Sequence, residues 1–328
     1  MTLAVVLAGV VVLALNAYVL LAGADFGGGV WDLLARGPRA RRQRELIAHA
    51  IGPIWEANHV WLILAIVLLF VCFPAAYSRI VIALNLPLTL VLFGIVLRGS
   101  AFAFRSYGGD RDAVQERWGR VFASASLVTP VLLGMSFGAV SNGLIPAVVT
   151  AASPFTAAYV DPWLTLFGVE VGAVALTAFA YLAAVYLTLA AGDDLELRED
   201  FRARALASGV VLLLVGAPPM LLLKPDRAIV ACASIAAGVA LWALWTRRYA
   251  MARIAAAAQV SFVLWGWAVA QFPFIVPPDL TIAEAAAPAR TLQLVAGALA
   301  LGGMILIPSL LYLYRLFARQ GAPHDAAP

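Results

Sequence analysis

The chain has 328 residues, 63% of them hydrophobic and 12% charged, with a formal net charge of +4. A water-soluble domain of this length needs a far more charged surface, so the composition excludes one and points to a polytopic membrane protein. The positive charge is almost wholly arginine, Lys224 being the single lysine. In a membrane protein such an excess records topology and not an affinity for nucleic acid.

A span needs about 20 apolar residues. Taken in chain order, nine segments qualify: 3–34, 48–73, 79–103, 118–141, 161–191, 205–223, 227–246, 254–275 and 291–314. The first lacks a basic leader and is too long for a signal-peptide core, so it reads as an uncleaved span. Pro218 and Pro219 predict a kink in the sixth. The eighth closes in QFPFIVPP and is expected to unwind at Pro273.

The basic residues test this count. With nine spans the connections alternate sides. One side collects Arg36, Arg39, Arg41, Arg42, Arg44, Arg98, Arg105, Arg111, Arg117 and Arg120, then Arg198, Arg202, Arg204, Arg247, Arg248, Arg253, Arg315 and Arg319. The other holds only Arg79, Lys224, Arg227 and Arg290, a division of 18 against 4. Positive charge marks the cytoplasm, which puts the N-terminus outside and the C-terminus inside. No connection is long enough for a separate domain. The chain reads as one transmembrane domain over 1–318 with a disordered cytoplasmic tail over 319–328.

Polar residues inside apolar runs are the candidates for function, because a charge in hydrocarbon is costly. Asp25 lies in GADFGGG of the first span, roughly 15 Å inside the boundary marked by Arg36. Glu56 lies in GPIWEANHVW, roughly 13 Å into the second span from the same side. The short connection makes these helices antiparallel neighbours, with both carboxylates at similar depth. Glu56 and His59 are three residues apart and share a face, as do Asp25 and Asp32, seven apart. A carboxyl in apolar surroundings can serve as a structural hydrogen-bond partner or as a proton relay, able to accept and release a proton. His59 is a second relay candidate or a packing histidine.

Around Asp25, Gly23, Gly27, Gly28 and Gly29 read as a surface for close helix packing. Glu170, alone in the fifth span, reads as a partner to a neighbouring helix. Arg98, at the end of the third, reads as snorkelling to the surface more readily than pairing with a carboxylate. Trp61, Tyr77, Trp163, Trp242 and Trp245 read as interfacial anchors.

Cys72 and Cys232 each sit in an apolar run, without a CxxC or a Cys/His cluster. Of three histidines, His324 is in the tail, and His49 and His59 are ten residues apart on one predicted helix. They cannot form an axial pair for a haem, so any redox centre is expected on another chain.

These segments resemble subunit II of the cytochrome bd-type quinol oxidases, including their cyanide-insensitive relatives. The likeness is carried by GADFGGGVWDLL (23–34), RRQRELIAHAIGPIWEANHVWLI (41–63), FRSYG (104–108), YLAAVYLT (181–188) and QFPFIVPP (271–278). It covers residue 1 to about 315. It implies an all-α fold of two four-helix bundles plus one peripheral helix, in agreement with the nine spans counted above. It also implies a partner, subunit I, carrying haems b and d or b alone and the quinol site, in a complex that reduces dioxygen to water. Subunit II would itself bind no haem and would help deliver cytoplasmic protons. By motif that role falls on Asp25, Glu56 and His59, with Trp55, Asn58 and Arg98 supporting them. Many members carry an acidic residue three positions before the one matching Asp25, where this chain has Ala22.

The resulting expectation is a haem-free, multi-pass subunit of a quinol:dioxygen oxidoreductase in a bacterial inner membrane. Its partners would be subunit I, membrane lipid and small single-helix subunits, with no nucleic acid. The alternative is a proton-coupled secondary transporter, which also places carboxylates in its helices, although no clear inverted repeat is present.

Overall fold

The computed structural model describes residues 2–51, 55–107, 112–223 and 225–320, and no side chain at 55, 105–107, 112–116, 221 or 314–320. The helices in chain order are α1 (Leu3–Leu34), α2 (Ala40–Ile51), α3 (Trp55–Asn58), α4 (Val60–Cys72), α5 (Pro74–Ala83), α6 (Asn85–Tyr107) and α7 (Asp112–Ser141). They continue with α8 (Phe155–Tyr159), α9 (Leu166–Ala190), α10 (Leu195–Leu223), α11 (Arg227–Trp245) and α12 (Tyr249–Gln271). A short hairpin of β1 (Phe274–Val276) and β2 (Leu280–Thr281) precedes α13 (Ile282–Ala285) and α14 (Ala289–Gln320).

The chain is thus a polytopic, almost wholly helical membrane protein. Among the described residues eight helices are long and apolar enough to span a bilayer, or nine when α2 and the helix from Glu56 to Cys72 count as one span bent by 52°. Two local expectations need correction. The second predicted span is not one straight helix, because α2 is a polar, arginine-bearing helix inclined to α4. The third begins later, at Asn85, after the separate helix α5 that Pro74 starts at its first turn. Pro218 and Pro219 lie inside α10, which continues to Leu223. The unwinding at Pro273 is present, since α12 stops at Gln271. A proline lacks the N–H that would continue the helix and keeps the residue before it out of the helical region. The predicted disordered tail falls largely on 321–328, outside the described residues.

The helices fall into two sets. α1 packs on α4 and α7, and α7 on α6; α9 packs on α10 and α12, and α11 on α12. α1 and α7 both press on α9 and join the sets. The peripheral α14 leans lightly on α1 and α4 and leaves side chains such as Ile305 (74% exposed) uncovered.

The glycines of α1 explain how one helix meets so many neighbours. A Cβ at Gly27 would lie 1.9 Å from the carbonyl oxygen of Phe179 on α9. At Gly28 it would meet Ile51 of α2 at 2.6 Å, and at Gly29 the hydroxyl of Ser126 on α7 at 2.2 Å. Consecutive residues of a helix point about 100° apart, so three glycines in a row admit three different helices to backbone contact. The packing role expected of these glycines is what the structure shows. Trp31, one turn on, fixes the α1–α9 contact by donating its indole N–H to the Ala180 carbonyl oxygen at 2.7 Å in a buried setting.

Ion pairs link segments that the arginine count assigned to the same side. Arg39 grips Asp200 through two hydrogen bonds of 2.8 and 2.7 Å. Gln43 donates to Asp200 and accepts from Arg204, both at 2.7 Å. Arg42 pairs with Asp194 and Glu196, while Glu199 receives Arg202 and Arg247. The backbone N–H of Leu197 holds the Asp194 carboxyl below its ordinary range, and Arg42 adds to this. At the sparse side Arg79 pairs with Asp279 at 2.9 Å. Among the described residues each of these pairs joins segments assigned to one side.

Candidate functional site

The helix contacts described above bring Asp25 into the interior of the first set, where it is 5% exposed. The amide of Asn58, 1% exposed, donates to its Oδ2 at 2.7 Å. Arg98 of α6 is 1% exposed and interacts electrostatically with Asp25. Its guanidinium lies 4.8 Å from the ring centroid of Phe26 and 5.2 Å from that of Phe122, so two aromatic faces share its charge. A buried carboxylate is therefore set beside a buried cation and an amide donor, in walls of Phe26, Phe122 and Phe179.

Arg98 does not snorkel. α6 runs to Tyr107, nine residues beyond it, so the arginine sits within the helix and not at its end. The faces of Phe26 and Phe122 flank its charge, and the Asp25 carboxylate opposes it electrostatically.

Glu56 is also placed differently from the expectation of two carboxylates side by side. Its side chain is exposed at the surface of this chain, and Asn58 is the residue that turns inward to Asp25. The regular spacing argument failed because the helix breaks here: α3 ends at Asn58, His59 occupies a turn, and α4 begins at Val60. His59 follows Glu56 by three residues in sequence and lies against α1 in space. Its ring centroid is 5.8 Å from that of Tyr18 and 6.1 Å from that of Phe26. Trp55 falls on a side chain outside the described residues. Glu56 is followed at intervals of seven by Ile63 (59% exposed) and Phe70 (56% exposed), so an exposed apolar stripe continues below the exposed carboxylate.

Asp32, predicted on the Asp25 face, is 4% exposed near the end of α1. Arg44 donates to the carbonyl oxygens of Asp32 and Ala35 at 3.3 and 3.1 Å, and so satisfies acceptors that the end of α1 leaves open. Glu170 is half-buried in the first turns of α9. Trp242 and Trp245 are exposed, as anchors should be, whereas Trp61 has its indole N–H buried and packs against the cluster around Tyr18 and Phe26.

Tyr18 was not singled out from the sequence. It is 3% exposed, two helical turns from Asp25 on the same face, and interacts electrostatically with both Asp25 and Arg98. The spacing of seven residues was the available signal. Beyond it, between the two helix sets, lies an apolar cavity of about 490 Å³, lined by Tyr18, Phe137, Val171, Leu213 and Val260 among others.

His49 lies on α2 and His59 in the turn before α4, packed on aromatic rings, and His324 lies outside the described residues. Among the described residues no three His, Cys, Asp or Glu side chains gather where a metal ion could bind.

Comparison with known proteins agrees with this architecture. The family model for cytochrome bd terminal oxidase subunit II matches residues 3–317. Cytochrome bd ubiquinol oxidase subunit 2 of Bacillus subtilis (strain 168) is 29% identical over 197 residues, 60% of this chain and 55% of that one. Cytochrome bd-I ubiquinol oxidase subunit 2 of Escherichia coli (strain K12) is 28% identical over 204 residues, 58% of this chain and 49% of that one. The match thus spans about half the length of these two relatives. A putative cytochrome bd menaquinol oxidase subunit II of Bacillus subtilis is 20% identical over 339 residues, 92% of each chain. The structure of bd oxidase from Geobacillus thermodenitrificans includes a chain of the same fold, with a TM-score of 0.70 at 24% identity over 97% of this chain and 99% of that one. With a family model matched from its third residue almost to the end of α14, the chain belongs to the cytochrome bd terminal oxidase subunit II family.

Proposed function

We propose that this chain is the membrane subunit of a quinol:dioxygen oxidoreductase that carries protons to a redox centre held by a partner subunit. The observation that carries this reading is Asp25, a buried carboxylate between Asn58 and Arg98, joined through the short segment 56–59 to the exposed Glu56. Reduction of dioxygen to water consumes a proton with each electron. A protein that draws those protons from one side of a membrane needs ionisable groups inside it.

In this account protons come from the arginine-rich, cytoplasmic side of a bacterial inner membrane. Asp25 accepts and releases them, Asn58 fixes the orientation of its carboxylate, and Arg98 stabilises the ionised form. His59 and Glu56 continue the route to the surface of the chain. A carboxylate facing lipid would be costly, and the apolar stripe of Ile63 and Phe70 below Glu56 would cover the same face of a neighbour. Both features support a partner subunit against this face. Haems b and d, or b alone, would sit in that partner, where they supply the electron transfer and bind dioxygen. What supports their placement is the donor set of this chain, together with the family. Quinol would be oxidised on the opposite side.

The test is to purify the complex through this chain and record its absorption spectrum. Haem bands in stoichiometric amount are expected. A colourless, monodisperse preparation that carries out proton-coupled transport would establish the transporter alternative instead. Within the complex, Glu56→Gln is expected to lower quinol oxidase turnover by about tenfold or more, in the range of a lost proton-transfer group, with normal haem content. Unchanged turnover removes Glu56 from the route.

A further inference from the structure

We infer that Tyr18, Asp25 and Arg98 together bind an internal water molecule. The Nε and Nη2 atoms of Arg98 and the hydroxyl of Tyr18 are buried, and among the described residues they have no hydrogen-bond partner. Each such group, left unmatched, costs roughly 1–3 kcal/mol, and native interiors rarely tolerate several in one place. Arg98 lies 4.8 Å from the ring of Phe26, the residue after Asp25, and the Tyr18 ring packs 5.8 Å from His59, which is 6.1 Å from the same Phe26 ring. Yet among the described residues Asn58 donates to Oδ2 of Asp25, while Nε and Nη2 of Arg98 and the Tyr18 hydroxyl donate to no partner. Opposite charges that interact without touching are the setting in which a bridging water is expected. One water accepting from an Arg98 N–H and from the Tyr18 hydroxyl, and donating to Oδ1 of Asp25, makes three bonds, the usual number for a buried water.

The role of this water rests on the proton-supply reading, but its presence does not. Bound there, it links Asp25 to Tyr18, whose ring touches that of His59, and makes Tyr18 a positioning residue for the proton on Asp25.

The experiment is a cryo-electron microscopy structure of the whole complex at a resolution that shows ordered water, for the wild type and Tyr18→Phe, with turnover and haem content measured on the same samples. The substitution removes one hydroxyl and keeps the ring packing. Density within hydrogen-bond reach of Arg98, Asp25 and Tyr18 is expected in the wild type. In Tyr18→Phe it should weaken, and turnover should fall by about tenfold, the effect of roughly one lost hydrogen bond, at unchanged haem content. A direct Arg98–Asp25 contact, or no density at this position beside well-defined water elsewhere, overturns the site. Density in the wild type with full turnover in Tyr18→Phe keeps the site and overturns the proton role given to it.

Discussion

Gly27→Ala separates the two helix sets and prevents accumulation of the folded chain. The added Cβ would lie 1.9 Å from the carbonyl oxygen and 2.4 Å from the carbonyl carbon of Phe179, and 2.8 Å from the Cβ of Ala183. Two of these atoms are helix backbone, so no side-chain rotation relieves the clash. α1 and α9 must move apart by more than 1 Å to restore ordinary contact, a distance over which dispersion attraction is largely forfeited. Overpacking of this kind costs about 1–3 kcal/mol, and more where backbone must shift. The Trp31–Ala180 hydrogen bond, one turn away, would be strained with it. Gly9→Ala, on the same helix with nothing within 4 Å of the new methyl, is the matched control. Yield and thermal stability in detergent should drop sharply for Gly27→Ala and stay at wild-type level for Gly9→Ala. Equal behaviour of the two would show that the α1–α9 contact is looser than described.

Arg98→Met is the second large effect, and its cause is electrostatic. The arginine balances Asp25 in a region where neither residue is more than 5% exposed. Removing one member of a buried pair leaves the other uncompensated, at about 3–5 kcal/mol, and the contacts with Phe26 and Phe122 lose their cation. The expected result is a destabilised chain and a complex that retains haem poorly. Arg98→Met combined with Asp25→Asn removes both charges and should recover most of the lost stability, because a buried pair replaced as a whole is often close to neutral. The recovered protein should remain inactive. Failure of the second change to restore stability would mean that the arginine serves packing or another acceptor and not Asp25.

Much of the fold was legible because a bilayer imposes a length and a charge rule on every span. The apolar runs located the helices, and the arginine alternation paired the connections correctly. Arg39 meets Asp200, and Arg79 meets Asp279, on sides assigned from composition alone. What could not be read were places where helices break or continue against expectation. α2 and α4 are apolar enough together to pass as one span, but the bend between them turns Asn58 inward and leaves Glu56 outside. The identity of the Asp25 partner depended on that bend and not on residue type. Arg98 was misplaced for a related reason, since Arg105 offered an equally good helix end and only the continuation of α6 to Tyr107 makes Arg98 interior. Asp25 itself was identifiable, because its cost in an apolar run is visible without any partner.

The most direct test of the proton-supply account is proton uptake by the intact complex during a single turnover with dioxygen, measured for the wild type and for Asp25→Asn. Asparagine keeps the size of the side chain and one acceptor oxygen for Asn58, and cannot carry a proton. The account predicts, per assembled haem-containing complex, normal electron delivery and proton uptake slowed by about a hundredfold or more, as for the loss of a general acid–base group. Uptake at the wild-type rate, in a complex of normal haem content, would contradict it.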